Sequence, residues 1–222
     1  MGLTIHYQLS APDGTDGNGA LRLMCDAMRA ADRRTGPAGF RATGRIGWTE
    51  SDRNWSRRWR NIPLPPHPPD PRGLNGQPYY DLEIKPDQGW MLEVDVGQGC
   101  ESLSVGLCRY PTSMNMPWQL HGWLPLNRRR EKISTGLPPG WHFHGFVKTQ
   151  FAAQHGWEHF RRCHTGIIDY LAELKTQGWG VRISDEGDYW PRRSLKKLRG
   201  NLEELHGPVA AALRRPSPPE GM

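Results

Sequence analysis

Between Trp141 and Trp190 the hydrophobic period of the chain changes from two to 3.6 and back again, which confines this region to strand, helix, strand. The segment WHFHGFVKTQF alternates polar and apolar residues one by one, as a half-buried strand does. GWEHFRRCHTGIIDYLAELKTQG then spaces Trp157, Phe160, Ile167, Ile168 and Leu171 as one face of a helix, with His164 near the middle of that face. WGVRISDEGDYW is β-like and ends in three carboxylates, Asp185, Glu186 and Asp188.

The remaining elements follow from the same periodicities. LTIHYQL reads as an opening strand and residues 20–34 as a helix that Asp16 or Asn18 caps. Residues 40–48 read as a second strand weakened by glycine. Six prolines between 63 and 71 exclude helix and central strand there, and residues 49–78 read as an irregular Trp/Arg/Pro-rich insertion. YYDLEI, GWMLEVDV and CESLSVGLCRY suggest three successive antiparallel strands. Leu195, Leu198, Leu202 and Leu205 mark a last helix that Gly207-Pro208 breaks, leaving 207–222 as a flexible tail. The expected fold is a single α+β domain over 1–206, a mainly antiparallel sheet with two or three helices packed on one face. An arrangement of two ferredoxin-like halves is the alternative.

Composition limits the function classes. No run approaches the roughly 18 apolar residues of a bilayer span. MGLTIHYQLS lacks the basic and apolar regions of a signal peptide. The four cysteines stand apart with no CxxC pair, as expected of reduced thiols in a cytoplasmic protein. The net charge of +6 permits an anionic partner without requiring one. There is no P-loop, dinucleotide fingerprint, zincin helix or nucleophile elbow, and no motif points to a cofactor.

Three groups of residues carry chemistry. His142, His144, Lys148 and Gln150 share the polar face of one strand and are the candidate ligand-binding residues. His142 and His144 are also the weak candidates for a metal, with a third ligand from His164, Asp185, Glu186 or Asp188. His164, Asp185 and Glu186 are the catalytic candidates, His164 as a base oriented by a carboxylate. The blander reading makes His164 a core residue, Asp188 a helix cap, and Glu158 with Arg162 a surface pair. In the third group, Trp55, Arg57, Arg58, Trp59 and Arg60 carry the side chains that stack on bases and clamp phosphates.

GLTIHY, VDVGQGCESLSVGLCRYP, KTQF and SDEGDYWPRRS together resemble a family of uncharacterised bacterial proteins, over most of the chain outside 49–78 and the tail. The resemblance implies a single-unit bacterial cytosolic protein and carries over no functional residue. The leading expectation is a non-catalytic binding protein whose partner is another protein or an anionic ligand, with no membrane. The alternatives are a metal-assisted or acid–base hydrolase and, less favoured, nucleic-acid binding through Trp48–Arg60.

Overall fold

The computed structural model describes residues 3–34, 41–42, 46–63, 79–117 and 130–213. Strand β1 (Thr4–Ser10) is followed by helix α1 (Gly17–Arg33), which Asp16 caps by accepting from the Gly19 N–H. Then come β2 (Arg41–Ala42), the short α2 (Glu50–Trp55), β3 (Arg58–Pro63), β4 (Tyr79–Ile84), β5 (Gln88–Asp95) and β6 (Leu103–Arg109). The chain continues through β7 (Ser113–Asn115), β8 (Lys132–Ser134), β9 (Trp141–Lys148), a 3-10 turn (Gln150–His155), α3 (Trp157–Thr176), β10 (Gly180–Asp185) and α4 (Leu195–Leu213).

The α+β architecture is the expected one. Six strands form a sheet in the order β10-β1-β9-β6-β5-β2, and every pairing in it is antiparallel. Strands β9 and β10 both run antiparallel to β1, so they are parallel to each other, with α3 as the crossover between them. That is one split β-α-β unit. The second ferredoxin-like half is absent among the described residues, because β3 and β4 pair with each other outside the main sheet.

One face of the sheet carries the helices. Ile5, Tyr7 and Leu9 of β1 point there with Phe143 and Val147 of β9 and Leu92 and Val94 of β5. They pack on α1, whose buried side is Ala20, Met24, Ala27, Ala30 and Ala31, and on Ile167, Ile168, Leu171 and Leu174 of α3. Small side chains on α1 let the two helices approach closely, and the buried Tyr170 hydroxyl donates to the Ala27 carbonyl at 2.9 Å. Burying each such aliphatic side chain contributes about 1.5–3 kcal/mol.

The other face is covered over half its width. In the β3–β4 ribbon, Arg58 and Arg60 lie opposite Ile84 and Leu82 and so share the inner side with them, while Trp59 lies opposite Glu83 on the outer side. Leu82 and Ile84 are buried in the same core as Met91, Cys108 and Tyr110. Consequently β6 is buried on both faces from Leu103 to Cys108. Over β9, β1 and β10 the same face is left open.

Several local expectations are corrected. The 49–78 insertion is regular over its first part: Thr49 and Asp52 form a reciprocal capping box that starts α2, and β3 follows. Residues 64–78 lie outside the described residues. Of the strand expected at 40–48, Arg41–Ala42 is seen as strand and Gly47 forms a bridge to Met91, while residues 40 and 43–45 lie outside the described residues. YYDLEI does not continue into the sheet as one of three successive strands but turns out to pair with β3. The last helix runs past Gly207-Pro208 to Leu213. Proline there removes one backbone donor, and the apolar, alanine-rich segment VAAAL continues the helix beyond it. Residues 214–222 lie outside the described residues.

Two glycine substitutions with opposite signs test this packing. A Cβ on Gly145 would stand 2.3 Å from the Tyr7 Oη and displace the ring whose hydroxyl donates to the Ser104 carbonyl at 2.6 Å. Gly145→Ala is expected to destabilise by about 1–3 kcal/mol. Gly200 is an exposed helical glycine with no heavy atom within 4 Å of the added Cβ. Gly200→Ala is expected to stabilise by about 1 kcal/mol. Urea denaturation of both variants measures the contrast.

Candidate functional site

The sheet divides the candidate residues into two separate groups. Because Ile5 pairs with Asp185 and Val147, Asp185 projects to the helix side, and residues one position away project to the open side.

On the helix side His164 and Asp185 do meet. The Nε2 of His164 lies 3.1 Å from the Asp185 Oδ1, and both side chains are 0% exposed. The approach is a close contact without a well-directed N–H···O line, so Nε2 has no aligned hydrogen-bond partner among the described residues. On the opposite side of the ring, Nδ1 lies 2.8 Å from the Thr149 hydroxyl, which donates to the Leu3 carbonyl at 3.1 Å. Asp185 also accepts from the backbone N–H groups of Gly187, Tyr189 and Trp190 at 2.8, 2.8 and 2.9 Å. Burial pushes the Asp185 carboxyl up, but His164 and the N–H groups of Trp190 and Gly187 outweigh it and hold the carboxyl below its ordinary value. The row Thr149–His164–Asp185 has the residue types of a catalytic triad, yet all three side chains are sealed in the core. Closed off from solvent, the row ties β10, α3 and the start of β1 together.

Glu186 and Gln150 are also fastenings. Glu186 accepts from the Thr4 N–H at 2.9 Å and stands 3.5 Å from the His6 Nε2 at the sheet edge. Gln150 accepts from the Leu3 N–H at 2.8 Å. Asp188 caps no helix; it takes a left-handed conformation with φ 56° and faces Lys197, while Ser194 accepts from the Lys197 N–H at the start of α4. Glu158 pairs with Arg161 three residues on rather than Arg162. Lys148 stands 4.0 Å from Glu101.

On the open side, His142, His144, Phe146 and Lys148 alternate along β9 as the periodicity requires. Tertiary pairing adds rows that the sequence does not announce. Gln8 lies between His144 and Arg182, and His6 lies between Phe146 and Ser184. Arg58 joins them from the inner side of the β3–β4 ribbon. His6, Gln8, Arg58, His144, Phe146 and Arg182 line an open groove of about 480 Å³. Phe146 is 55% exposed at its floor, with Lys148 over its ring and the His6 ring 6.1 Å away.

Two arginines, Arg58 and Arg182, line the groove, and two polar nitrogens beside it lack partners among the described residues. The Nη2 of Arg58 is buried without a hydrogen-bond partner among the described residues, and so is the Nε2 of His142. His142 is stacked on Tyr110 at 4.9 Å, one row beyond the groove, with the Arg58 guanidinium over the other ring of that pair. Desolvation, then the Arg58 charge, holds His142 below its ordinary pKa and lowers His144 to about 4, with His142 adding to the effect on His144. Both rings are therefore neutral at pH 7.

Among the described residues no three His, Cys, Asp or Glu side chains converge to hold a metal ion. His142 and His144 face the open side, whereas His164 and Asp185 lie across the sheet from them. The Trp/Arg segment is dispersed as well. The ring of Trp48 covers Gly89, Arg57 faces Glu83 at 3.5 Å, and Trp59 lines an outer hollow with Asp81 and Glu83. Trp55 and Arg60 are exposed, with Arg60 3.4 Å from the Ser134 carbonyl, and only Arg58 enters the groove.

Sequence reasoning missed His6, Gln8, Arg182, Ser184 and Phe146. Their signal was the polar alternation in TIHYQLS and GVRISD, but strand neighbours are not written in either segment. Among the described residues no helix is long and apolar enough to cross a membrane. No protein-family model, curated protein or solved structure matches the chain.

Two outcomes follow from this geometry. Asp185→Ala strands three interior N–H groups and leaves His164 without its carboxylate, so unfolding in urea is expected to need about 3–5 kcal/mol less free energy. Second, the folded-state pKa of His144 lies below its unfolded value near 6.5, so between pH 4 and 6.5 the unfolded chain binds the extra proton. Stability is expected to fall as pH drops through that window and to stay level above it. Thermal melts across pH show this slope, and His144→Gln flattens it.

Proposed function

We propose that the protein is a non-catalytic binder of a small phosphate-bearing ligand, held on the open sheet face between Arg58, Arg182, His6 and His144. The observation that carries this reading is the convergence of Arg58, Arg182, His6 and His144 on one open groove. An oxyanion placed between the two guanidinium groups gains charge-assisted hydrogen bonds. Gln8 and Ser184 supply neutral polar contacts. The exposed Phe146 offers an apolar floor for a flat ring, which makes a nucleotide-like ligand the better fit than a bare anion.

Titration calorimetry with a nucleoside monophosphate tests the reading. Arg58→Ala and Arg182→Ala are each expected to weaken binding about tenfold, about 1.4 kcal/mol. Arg22→Ala, on the solvent side of α1, leaves binding unchanged. Phe146→Ala is expected to remove the margin by which the nucleotide binds more tightly than inorganic phosphate. Sulfate, whose charge is constant over the range, is expected to bind more tightly as pH falls from 7 toward 4, because an anion beside His144 raises its pKa and binding takes up a proton. Affinity that ignores both arginines rejects the proposal.

A single-stranded nucleic acid is the second reading, supported by the exposed Trp55 and Trp59 on the neighbouring ribbon. Asp81 and Glu83 beside Trp59 and the pairing of Arg57 with Glu83 count against it. A salt dependence of oligonucleotide binding that spans several phosphates would favour it.

A further inference from the structure

The six-stranded sheet ends differently on its two sides. On one side the last strand is the two-residue β2, and on the other it is the six residues of β10, alternately exposed and half-buried. A long unpaired edge is a template for another strand, and proteins blunt it with proline, lysine or a bulge. GVRISD has neither proline nor lysine, and its register against β1 runs unbroken from Ile5–Asp185 to Ser10–Gly180. We propose that β10 is a self-association surface, on which a second copy of this chain pairs its own β10 antiparallel about a two-fold axis at Ser184.

Hydrogen-bond phase fixes which groups face outward. The Glu186 N–H donates to the Thr4 carbonyl at 3.1 Å, so Glu186, Ser184 and Arg182 turn their main-chain groups toward β1. Val181, Ile183 and Asp185 turn theirs away from it. Among the described residues the main chains of Val181 and Ile183 have no partner on that side. The Asp185 carbonyl accepts from the Asp188 N–H at 3.2 Å and keeps a second lone pair.

Charge selects the register. Residues directly opposite in a symmetric antiparallel pair share a face, so the axis passes through a residue and not between two. An axis through Arg182 sets the two arginines opposite each other, and one through Ile183 sets them on a shared diagonal. An axis through Ser184 sets each Arg182 opposite the partner's Glu186, in the closer, non-hydrogen-bonded kind of pair. Arg182 has no ion-pair partner among the described residues of its own chain. Glu186 takes the Thr4 N–H and stands 3.5 Å from His6, yet its side chain is 44% exposed and open to a further cation. At this register the outward groups of Ile183 exchange hydrogen bonds with those of the partner's Asp185, and the axis repeats the exchange. Backbone and charge therefore agree on one alignment.

The pairing extends the open face. The row Phe146, His6, Ser184 meets the same row of the second copy at the axis, so two grooves join along one polar surface. A carboxylate on one edge of the Arg182 guanidinium leaves its other donors for an anion and fixes the side chain at the groove. Self-pairing itself needs no ligand there.

Sedimentation velocity of the full-length chain without ligand, across the micromolar range, tests this pairing. A reversible monomer–dimer equilibrium is expected. Ile183→Pro removes an outward N–H and leaves the β1 ladder intact, so a monomer with unchanged circular dichroism is expected. Arg182→Glu sets carboxylates opposite each other and is expected to weaken association about tenfold or more, and adding Glu186→Arg to it is expected to restore the dimer. A monomer at every concentration, a dimer that Ile183→Pro and Arg182→Glu leave intact, or a double variant no better associated than Arg182→Glu would overturn the proposal. The charge variants decide the matter even where the proline variant does not fold.

Discussion

Asp185 is the group on which the arrangement of this protein depends. It is a fully buried carboxylate at the end of an edge strand. It accepts three backbone N–H groups from the turn that follows and meets His164 on α3. Through His164 the contact continues to Thr149 and the Leu3 carbonyl. One polar row therefore fastens β10, α3, the end of β9 and the start of β1 together. A buried charge is costly unless it is answered, and here the answers come from the turn that follows β10 and from α3. Such a row strongly resists partial assembly.

The consequence for function is a sheet with unlike faces. Helices α1 and α3 seal one side, and the β3–β4 ribbon seals half of the other. What remains open is the face of β9, β1 and β10, where the pleat sets polar side chains in rows. Arg58 belongs to the ribbon but faces inward, because it shares the inner side of that ladder with Ile84. The edge of the covering layer thus becomes the wall of the groove. The same half-covering leaves Arg58 Nη2 and His142 Nε2 buried without hydrogen-bond partners among the described residues, in a setting that depresses His142 and His144.

The β5–β6 loop joins the two halves from the far side. Its glycines let the loop close on α3 and the 3-10 turn, while Glu101 holds the end of β9. The loop thus touches both α3 and the strand that carries the groove.

Much of this was legible in the chain. The change of period between Trp141 and Trp190 specified β9, α3 and β10, and it placed His164 inside and His142 with His144 on the opposite side of their strand from the apolar residues. It also separated His164 from that pair, since a helix packs on the apolar side of a strand. These are local facts, set by backbone geometry and the exclusion of apolar surface from water. The partners were not local. Nothing in TIHYQLS says that His6 and Gln8 lie between β9 and β10, because register comes from pairing across most of the chain's length. Nothing in WSRRWR says which of its arginines turns inward, because that depends on which residue of YYDLEI stands opposite. The sequence by itself determined the elements and the face on which each side chain sits. Only the tertiary structure decided which faces meet, because that choice belongs to the joint burial of distant segments and not to any one of them.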